Sequence, residues 1–354
     1  MNLTELGGWN ATCEQAFAPW TEAGFEVGRV ALEHRGAYQL LTPGGELSAV
    51  VTGQFRHQAN SEQAFPAVGD WVVIQPQPGD DPAIIQAVLP RRSEFVRKAA
   101  GGKIEGQVVA ANVDTVFLVC GLDGDFNLRR IERYLVAAWE SGAVPVVVLN
   151  KADACEELDS RIEAVEAIAI AVPIHAVSAA TGTGLEQLAP YLGPGRTVAL
   201  IGSSGVGKST LTNYFLGVQQ QAIQAVRADD SRGRHTTTGR HLLPLPSGAL
   251  LIDTPGMREL QLWTTSDGLE ATFADIEELA NDCRFRDCQH QGEPGCAVEE
   301  AIAAGDLSRD RLHNYRKLQR EQQWIDQRQD ARASHNSKRR WKTINKAMRE
   351  FHKE

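Results

Sequence analysis

Gly202-Ser203-Ser204-Gly205-Val206-Gly207-Lys208-Ser209 fits the phosphate-loop pattern G-x-x-x-x-G-K-[ST] at every fixed position. The apolar run Val198–Ile201 before it reads as a buried strand. Thr210–Leu216 after it reads as the start of a helix. In that context the glycines let the backbone curl until several N–H groups converge on one phosphate chain. The helix N-terminus adds partial positive charge at the same point. Lys208 is the residue to reach the outer phosphates, and Ser209 the one to ligand a magnesium ion. Gly202 through Thr210 are therefore the candidate phosphate-binding residues.

The 354 residues are enough for two or three domains and a sizeable core. No apolar run reaches membrane-spanning length. The start, MNLTELGGWN, lacks the basic-then-apolar pattern of a secretory signal, so no membrane is expected. Six cysteines in so long a chain do not make a disulfide scaffold, and a reducing cytoplasm is the expected compartment. The net charge of −9 argues against a general polyanion binder. Its distribution is uneven: Arg311–Glu354 holds 13 Lys/Arg against 5 Asp/Glu, a net of +8, so the rest of the chain carries −17. A basic tail on an acidic body touches nucleic acid locally, or else forms a solvated helix face.

Working outward, Thr115–Cys120, Val144–Leu149 and Ile174–Val177 read as strands. Leu128–Trp139, Glu156–Ala169 and Gly184–Leu192 between and after them read as helices. This alternation means a doubly wound, largely parallel sheet. Val144–Leu149 runs into Asn150-Lys151-Ala152-Asp153, an N-K-x-D sequence at the carboxyl end of a strand, where ligands sit in such sheets. A carboxylate at Asp153 accepts from the ring N–H and the exocyclic amine of guanine together, a donor pair that adenine lacks. Asn150 bridges this loop to the phosphate loop, and the Lys151 stem lies on the base face. Ser178 and Ala179 open an S-A-x-x-G-x-G-like loop of the kind that closes over guanine, with the Ala179 N–H at the base oxygen. A capped strand-to-helix turn is the plainer reading of the same stretch.

Asp229–Arg240 is polar and threonine-rich. Thr236, Thr237 and Thr238 are candidates to complete the magnesium shell when a γ-phosphate is present, with Thr237 preferred. Ala249–Ile252 leads to Asp253-Thr254-Pro255-Gly256, where Asp253 would hold magnesium and the Gly256 N–H would sense the γ-phosphate. Upstream, five strand-like segments between Val27 and Leu89 suggest a small barrel. An oligonucleotide-binding barrel leads and an SH3-like barrel is the alternative; His34, Arg35, Tyr38, Arg56 and His57 are possible RNA contacts. Arg91–Gly106 reads as a charged linker, and residues 1–25 say little beyond Trp9 and Trp20 anchoring a short extension. Cys283-x4-Cys288-x-His290-x5-Cys296 offers three thiolates and one imidazole within fourteen residues, the donor set of a closed structural zinc site. Cys13, Cys120 and Cys155 read as ordinary thiols. Glu299–Gly305 and Leu307–Asp330 read as helices, and the basic end carries Trp341.

The order of these motifs is the anomaly. N-K-x-D and the S-A loop precede the phosphate loop, the reverse of a Ras-like GTPase. With a barrel before, the segment Gly233-Arg234-His235-Thr236-Thr237-Thr238, and the Cys/His cluster after, the chain resembles the circularly permuted GTPases. Within them it resembles the small-ribosomal-subunit biogenesis group, from about residue 27 to about 330. The resemblance implies GTP hydrolysis coupled to late maturation of the small subunit, contact with its rRNA, GTP and GDP as ligands, one structural zinc, and magnesium carried with GTP. Met257 stands where Ras-type enzymes carry the glutamine that orients the attacking water. The resemblance puts His235 in that role, beside Lys208 as the second catalytic residue. The expected layout is an N-terminal extension (1–26), an OB-like β-barrel (27–96), a circularly permuted G domain (97–258), and a zinc-binding helical domain with a basic tail (259–354), as a monomer. The competing readings are a permuted GTPase of the large subunit or another RNA, an RNA-binding module with regulatory GTP, and an ATPase, the last disfavoured by Asp153.

Overall fold

A parallel sheet and a five-stranded barrel share one continuous run of eleven strands. The structure, a computed structural model, describes residues 2–34, 36–59, 61–79, 81–98, 106–217, 240–253 and 266–327. They fall into two compact units, one holding 2–98 and 106–253, the other 266–327.

In the first unit β1 (Glu26–His34), β2 (Ala37–Thr42), β3 (Gly45–Val51), β4 (Trp71–Gln75) and β5 (Ala83–Val88) close in the order β1-β2-β3-β5-β4-β1. All contacts are antiparallel except β3 with β5. This is an OB-like barrel. Tyr38, expected on an RNA-facing surface, is instead buried in the barrel core. Its position in β2 alternates with exposed Ala37 and Gln39, so the period of two sends the ring inward. Burial pushes its hydroxyl up to about 12. His34, Arg56 and His57 are exposed, and Arg35 lies outside the described residues.

Arg91–Gly106 is not a plain linker. β6 (Glu94–Lys98) and β7 (Gly106–Ala111) pair antiparallel as a hairpin of their own. Phe95 and Val109 are buried while Glu94 and Arg97 are half-buried; the glycines and charges of the stretch obscured the strand. The residue-1–25 extension also has structure. α1 (Ala11–Thr21) is capped by the Asn10 side chain, and Trp9 packs edge-on against Trp71 at 4.8 Å between ring centroids.

β8 (Thr115–Gly121), β9 (Val144–Asn150), β10 (Ile174–Val177), β11 (Thr197–Ile201) and β13 (Leu250–Asp253) form the parallel part, in the order β10-β9-β8-β11-β13. Strict alternation splits β8 between two cores: Val116, Leu118 and Cys120 face one layer, Phe117 and Val119 the other. α3 (Leu128–Ser141) covers the first face, capped by Asn127 and closed by Gly142 in a left-handed conformation. The expected helix over Glu156–Ala169 is shorter, α4 (Leu158–Glu166), and Gly184–Leu192 forms a 3-10 turn over Leu185–Tyr191 that contains Pro190. β12 (Arg240–Pro244), which the sequence reading did not resolve, pairs antiparallel with β13 on one side and with β1 on the other, at Leu32–His241 and Glu33–Arg240.

The junction of barrel and sheet is closed by Arg29, which is fully buried. Its guanidinium donates to the carbonyls of Gly69 (3.2 Å), Leu6 (2.5 Å) and Asn112 (3.2 Å) and to Thr197 Oγ1 (2.9 Å). Burial pushes its pKa down to about 10. Beside it the fully buried Asp70 receives both Nε and Nη2 of Arg91 at 2.8 Å and the Ala67 amide at 2.7 Å.

In the second unit Ser266–Thr272 (α6), Ala274–Asn281 (α7), Ala297–Ala304 (α8) and a helix over 309–327 (α9) enclose Leu269, Phe273, Ile276, Val298, Leu312 and Leu318.

Replacing Arg29 with methionine keeps the bulk but strips four buried acceptors of their donor. We expect a loss of about 3 kcal/mol in the urea unfolding free energy of the chain. A loss below about 1 kcal/mol would show that the acceptors find other partners.

Candidate nucleotide site and metal centre

Three loops meet at the carboxyl ends of β9, β10 and β11, the edge at which open α/β sheets hold ligands. The phosphate loop leaves β11 at Ile201 and enters α5 (Lys208–Phe215). Gly205 and Gly207 take φ of 82° and 99°. A Cβ on Gly202 would overlap the Val119 carbonyl, and one on Gly207 would overlap the Asn150 amide. These glycines are needed for close approach as well as for the turn. Val206 is buried as the anchor, while Ser204, Gly205 and Ser209 are exposed and Thr210 is half-buried in the first turn of α5. Lys208 Nζ donates to the Gly202 and Ser203 carbonyls at 2.6 and 2.5 Å.

Asn150 joins all three loops. It is buried, donates through Nδ2 to the Val206 carbonyl at 2.7 Å and accepts from the Ala179 amide at 2.9 Å. The sequence placed that Ala179 N–H at the base oxygen; here it meets Asn150, whose buried side-chain oxygen needs a donor. Lys151 sits in the left-handed region at φ 67°, which turns the chain sharply out of β9. Asp153 follows, exposed, in the 3-10 turn Ala152–Ala154. Ser178 is buried and its Oγ accepts from the Thr181 amide at 3.2 Å, which fixes the third loop. Asp253 ends β13 and is exposed. His235, Thr236, Thr237, Thr238 and Gly256 lie outside the described residues.

Sequence reasoning missed the loop after β8. Lys151 Nζ donates to Asp123 at 2.5 Å. The hydrogen bond from Lys151 holds the Asp123 carboxyl below its usual range. Ser203 donates its hydroxyl hydrogen bond to Asp125, and Arg130 Nη1 reaches Asp125 at 2.6 Å and Ser203 Oγ at 2.7 Å. Burial raises the Asp125 pKa, but hydrogen bonds from Arg130 and Ser203 outweigh it and leave the carboxyl lowered. The available signal was position: this loop also leaves the carboxyl end of a parallel strand.

The second unit gathers the expected donors. One ligand atom each from Cys283, Cys288, His290 and Cys296 lies within 4.8 Å of all the others. Cys283 Sγ is 3.9 Å from Cys296 Sγ, and His290 Nδ1 is 3.6 and 3.5 Å from those two sulfurs. Zinc–sulfur bonds of about 2.3 Å set a tetrahedral edge of about 3.8 Å, so the four donors fit one ion. His290 reaches the cluster from a left-handed backbone (φ 56°), and burial pushes its imidazole pKa down, which favours the neutral, ligating form. All four residues come with free thiols or an unbridged ring.

A phosphate loop that follows N-K-x-D and the S-A loop, on one parallel sheet behind a barrel, defines a circularly permuted P-loop GTPase. The RsgA GTPase family model matches residues 88–263. A second model, that of the ABC transporters, matches 185–343, a span that includes the phosphate loop. The small ribosomal subunit biogenesis GTPase RsgA of Opitutus terrae is 49% identical over 99% of this chain and 97% of its own. The RsgA 1 protein of Oceanobacillus iheyensis, of the same name, is 45% identical over 97% and 98%. Among solved structures, YjeQ from Thermotoga maritima is 30% identical with a TM-score of 0.61, covering 84% of this chain and 98% of that one. YloQ, a circularly permuted GTPase, is 26% identical with a TM-score of 0.59, covering 84% and 95%. This chain belongs to the RsgA GTPase family.

A methyl group at position 207 meets Asn150 and forces a left-handed alanine. Gly207→Ala should therefore break the Asn150–Val206 contact and weaken GDP binding about 10- to 100-fold, the worth of one buried hydrogen bond lost. Equilibrium titration with a fluorescent GDP analogue reads it.

Proposed function

We propose that this chain hydrolyses GTP on the small ribosomal subunit late in its maturation, with GTP favouring the bound state and hydrolysis favouring release. The observation that carries the reading is the Asn150 side chain, which ties the N-K-x-D loop to both the phosphate loop and the S-A loop. A guanine pocket and a phosphate cradle are thereby held in one frame. Relatives 45–50% identical over most of the chain, named for small-subunit biogenesis, support the choice of partner.

In this reading Asp153 accepts from guanine, Lys151 lies on its face, and Ser178 and Ala179 close the base pocket. The amides of Gly202 to Thr210 bind the phosphates, and Lys208 balances charge on the outer ones as the bond breaks. Ser209, Thr237 and Asp253 hold magnesium, which screens the phosphate charge when bound. The Gly256 N–H senses the γ-phosphate, and His235 orients the attacking water in place of the glutamine that Met257 replaces. Cys283, Cys288, His290 and Cys296 hold one zinc ion that stabilises their fold without an open position for chemistry. The extension 1–26, barrel 27–96, G domain 97–258 and zinc domain 259–354 divide the labour, the barrel and the zinc domain meeting rRNA. The protein acts as a cytoplasmic monomer; no helix among the described residues is long and apolar enough to cross a membrane.

GTP turnover measured with purified small subunits, and with large subunits as control, tests the partner. We expect stimulation of at least about tenfold by small subunits only, abolished in His235→Ala. Equal stimulation by both, or by large subunits alone, overturns the assignment. For the metal, elemental analysis of the purified chain should return one zinc per chain. A chelator should then expose three further reactive thiols and lower the helical circular dichroism signal.

A further inference from the structure

We propose that Asp123 is a positioning residue for the nucleotide: it fixes the Lys151 ammonium so that the lysine stem lies across the guanine face, and the loop that carries it is pinned to the phosphate loop. The inference rests on the GTPase reading above and names a loop outside the five recognised motifs.

The stretch Gly121–Asn127, GLDGDFN, connects β8 to α3. Its first anchor is backbone: the Leu122 amide donates to the Asn150 carbonyl at 2.8 Å, one residue before Lys151. Its second is Arg161 of α4, which donates to the Leu122 carbonyl at 2.9 Å and stacks over the Phe126 ring at 5.0 Å. Asp123 is then folded back over its own loop. One oxygen, Oδ1, accepts from the Asp125 amide at 3.1 Å, and the other, Oδ2, accepts from Lys151 Nζ at 2.5 Å. Gly121 permits this, since a Cβ there would stand 2.6 Å from Asp123 Oδ1. A carboxylate tied down at one oxygen offers the other in a fixed place.

Lysine needs such a partner. Its ammonium is a point charge on a four-carbon stem with large rotamer freedom, so ordering it costs entropy each time the base binds. Asp123 holds the far end, and the stem is ordered before the base arrives. Lys151 and Asp123 are each about a third exposed, at 33% and 38%. The pair itself therefore adds little to stability; its effect is on geometry. At the other end of the loop, Asp125 accepts from Ser203 while Arg130 bonds both. One short loop thus touches the base end and the phosphate end of the site. Two carboxylates beside a polyphosphate site would repel the ligand, but each is spoken for by a cation, Lys151 or Arg130.

A double-mutant cycle on GDP affinity decides the matter. In the parent chain GDP binds. Asp123→Asn should weaken it about fivefold, the scale of a partly exposed ion pair, and Lys151→Met about tenfold through loss of the anchored stem. If Asp123 acts through Lys151, the double variant is no weaker than Lys151→Met alone, and Asp123→Glu, which keeps the charge, recovers most of the affinity. If the two losses multiply, or if Asp123→Asn binds GDP like the parent, the inference is wrong. A parent chain that binds no guanine nucleotide would instead overturn the reading on which it rests. Thermal melts of each variant separate these outcomes from misfolding: a midpoint within about 2 °C of the parent qualifies a variant for the cycle.

Discussion

Arg29 places a full positive charge where the barrel, the N-terminal extension and the parallel sheet meet, and the geometry of the first unit depends on how that charge is satisfied. Moving a guanidinium out of water costs several kcal/mol even after relaxation. The return comes from four acceptors on four segments: Leu6, Gly69, Asn112 and Thr197. None of these is a carboxylate, so the burial is offset by directed hydrogen bonds with longer-range help from Asp114 and Asp70. Directed bonds fix orientation where apolar contact alone would allow sliding. The price of that arrangement is intolerance: a smaller or neutral side chain leaves three carbonyls and a hydroxyl facing one another in a dry junction.

The same constraint reaches the nucleotide site along the strands. Thr197, which accepts from Arg29, is the first residue of β11, and the phosphate loop begins one residue after that strand ends. β1, which carries Arg29, also pairs with β12, whose first residue, Arg240, is the last of the threonine-rich stretch in sequence. A displacement of the barrel would have to move β11 at its base or break the β1–β12 register. Barrel and parallel sheet therefore belong to one compact unit in this chain, joined by the β1–β12 pairing and the Arg29–Thr197 bond.

Much of the site was legible because its signals are local. The phosphate loop, N-K-x-D and the cysteine–histidine spacing each need only neighbouring residues in a fixed order, and the structure brings Asn150, Val206 and Ala179 into contact and the four metal donors within one coordination sphere. What stayed hidden depends on distant partners. Arg29 lies in one of the strand-like segments, and nothing near it in sequence announces four acceptors as far away as residue 197. Asp123 and Asp125 flank a glycine and read as a turn; their meaning comes from Lys151 and Ser203. The β6–β7 hairpin looked like a linker because its first strand is short and sits in a charged, glycine-containing stretch, while its partner strand begins only at Gly106. β12 was missed for a related reason: its pairing with β1 spans two hundred residues of sequence.

The second unit repeats the buried-arginine device with a different balance. Arg311 is 3% exposed and donates to both oxygens of Asp275 at 2.7 Å and to the Thr272 carbonyl at 2.9 Å, with its guanidinium 4.8 Å over the Phe273 ring. Here the charge is neutralised on the spot, by a bidentate carboxylate and an aromatic face. The difference follows from size. The first unit has a core large enough to carry a cation on hydrogen bonds with only distant carboxylates to help. The second has a few apolar side chains between short helices, and a domain that small needs additional staples. The ion pair ties α9 to the first turn of α7, and the bond to the Thr272 carbonyl ties it to the end of α6. The cysteine–histidine cluster brings Cys283, just past α7, within 3.9 Å of Cys296 at the cap of α8. Between them every described helix of the unit is fastened by a polar link, which is how a segment with so small an apolar core holds a defined fold.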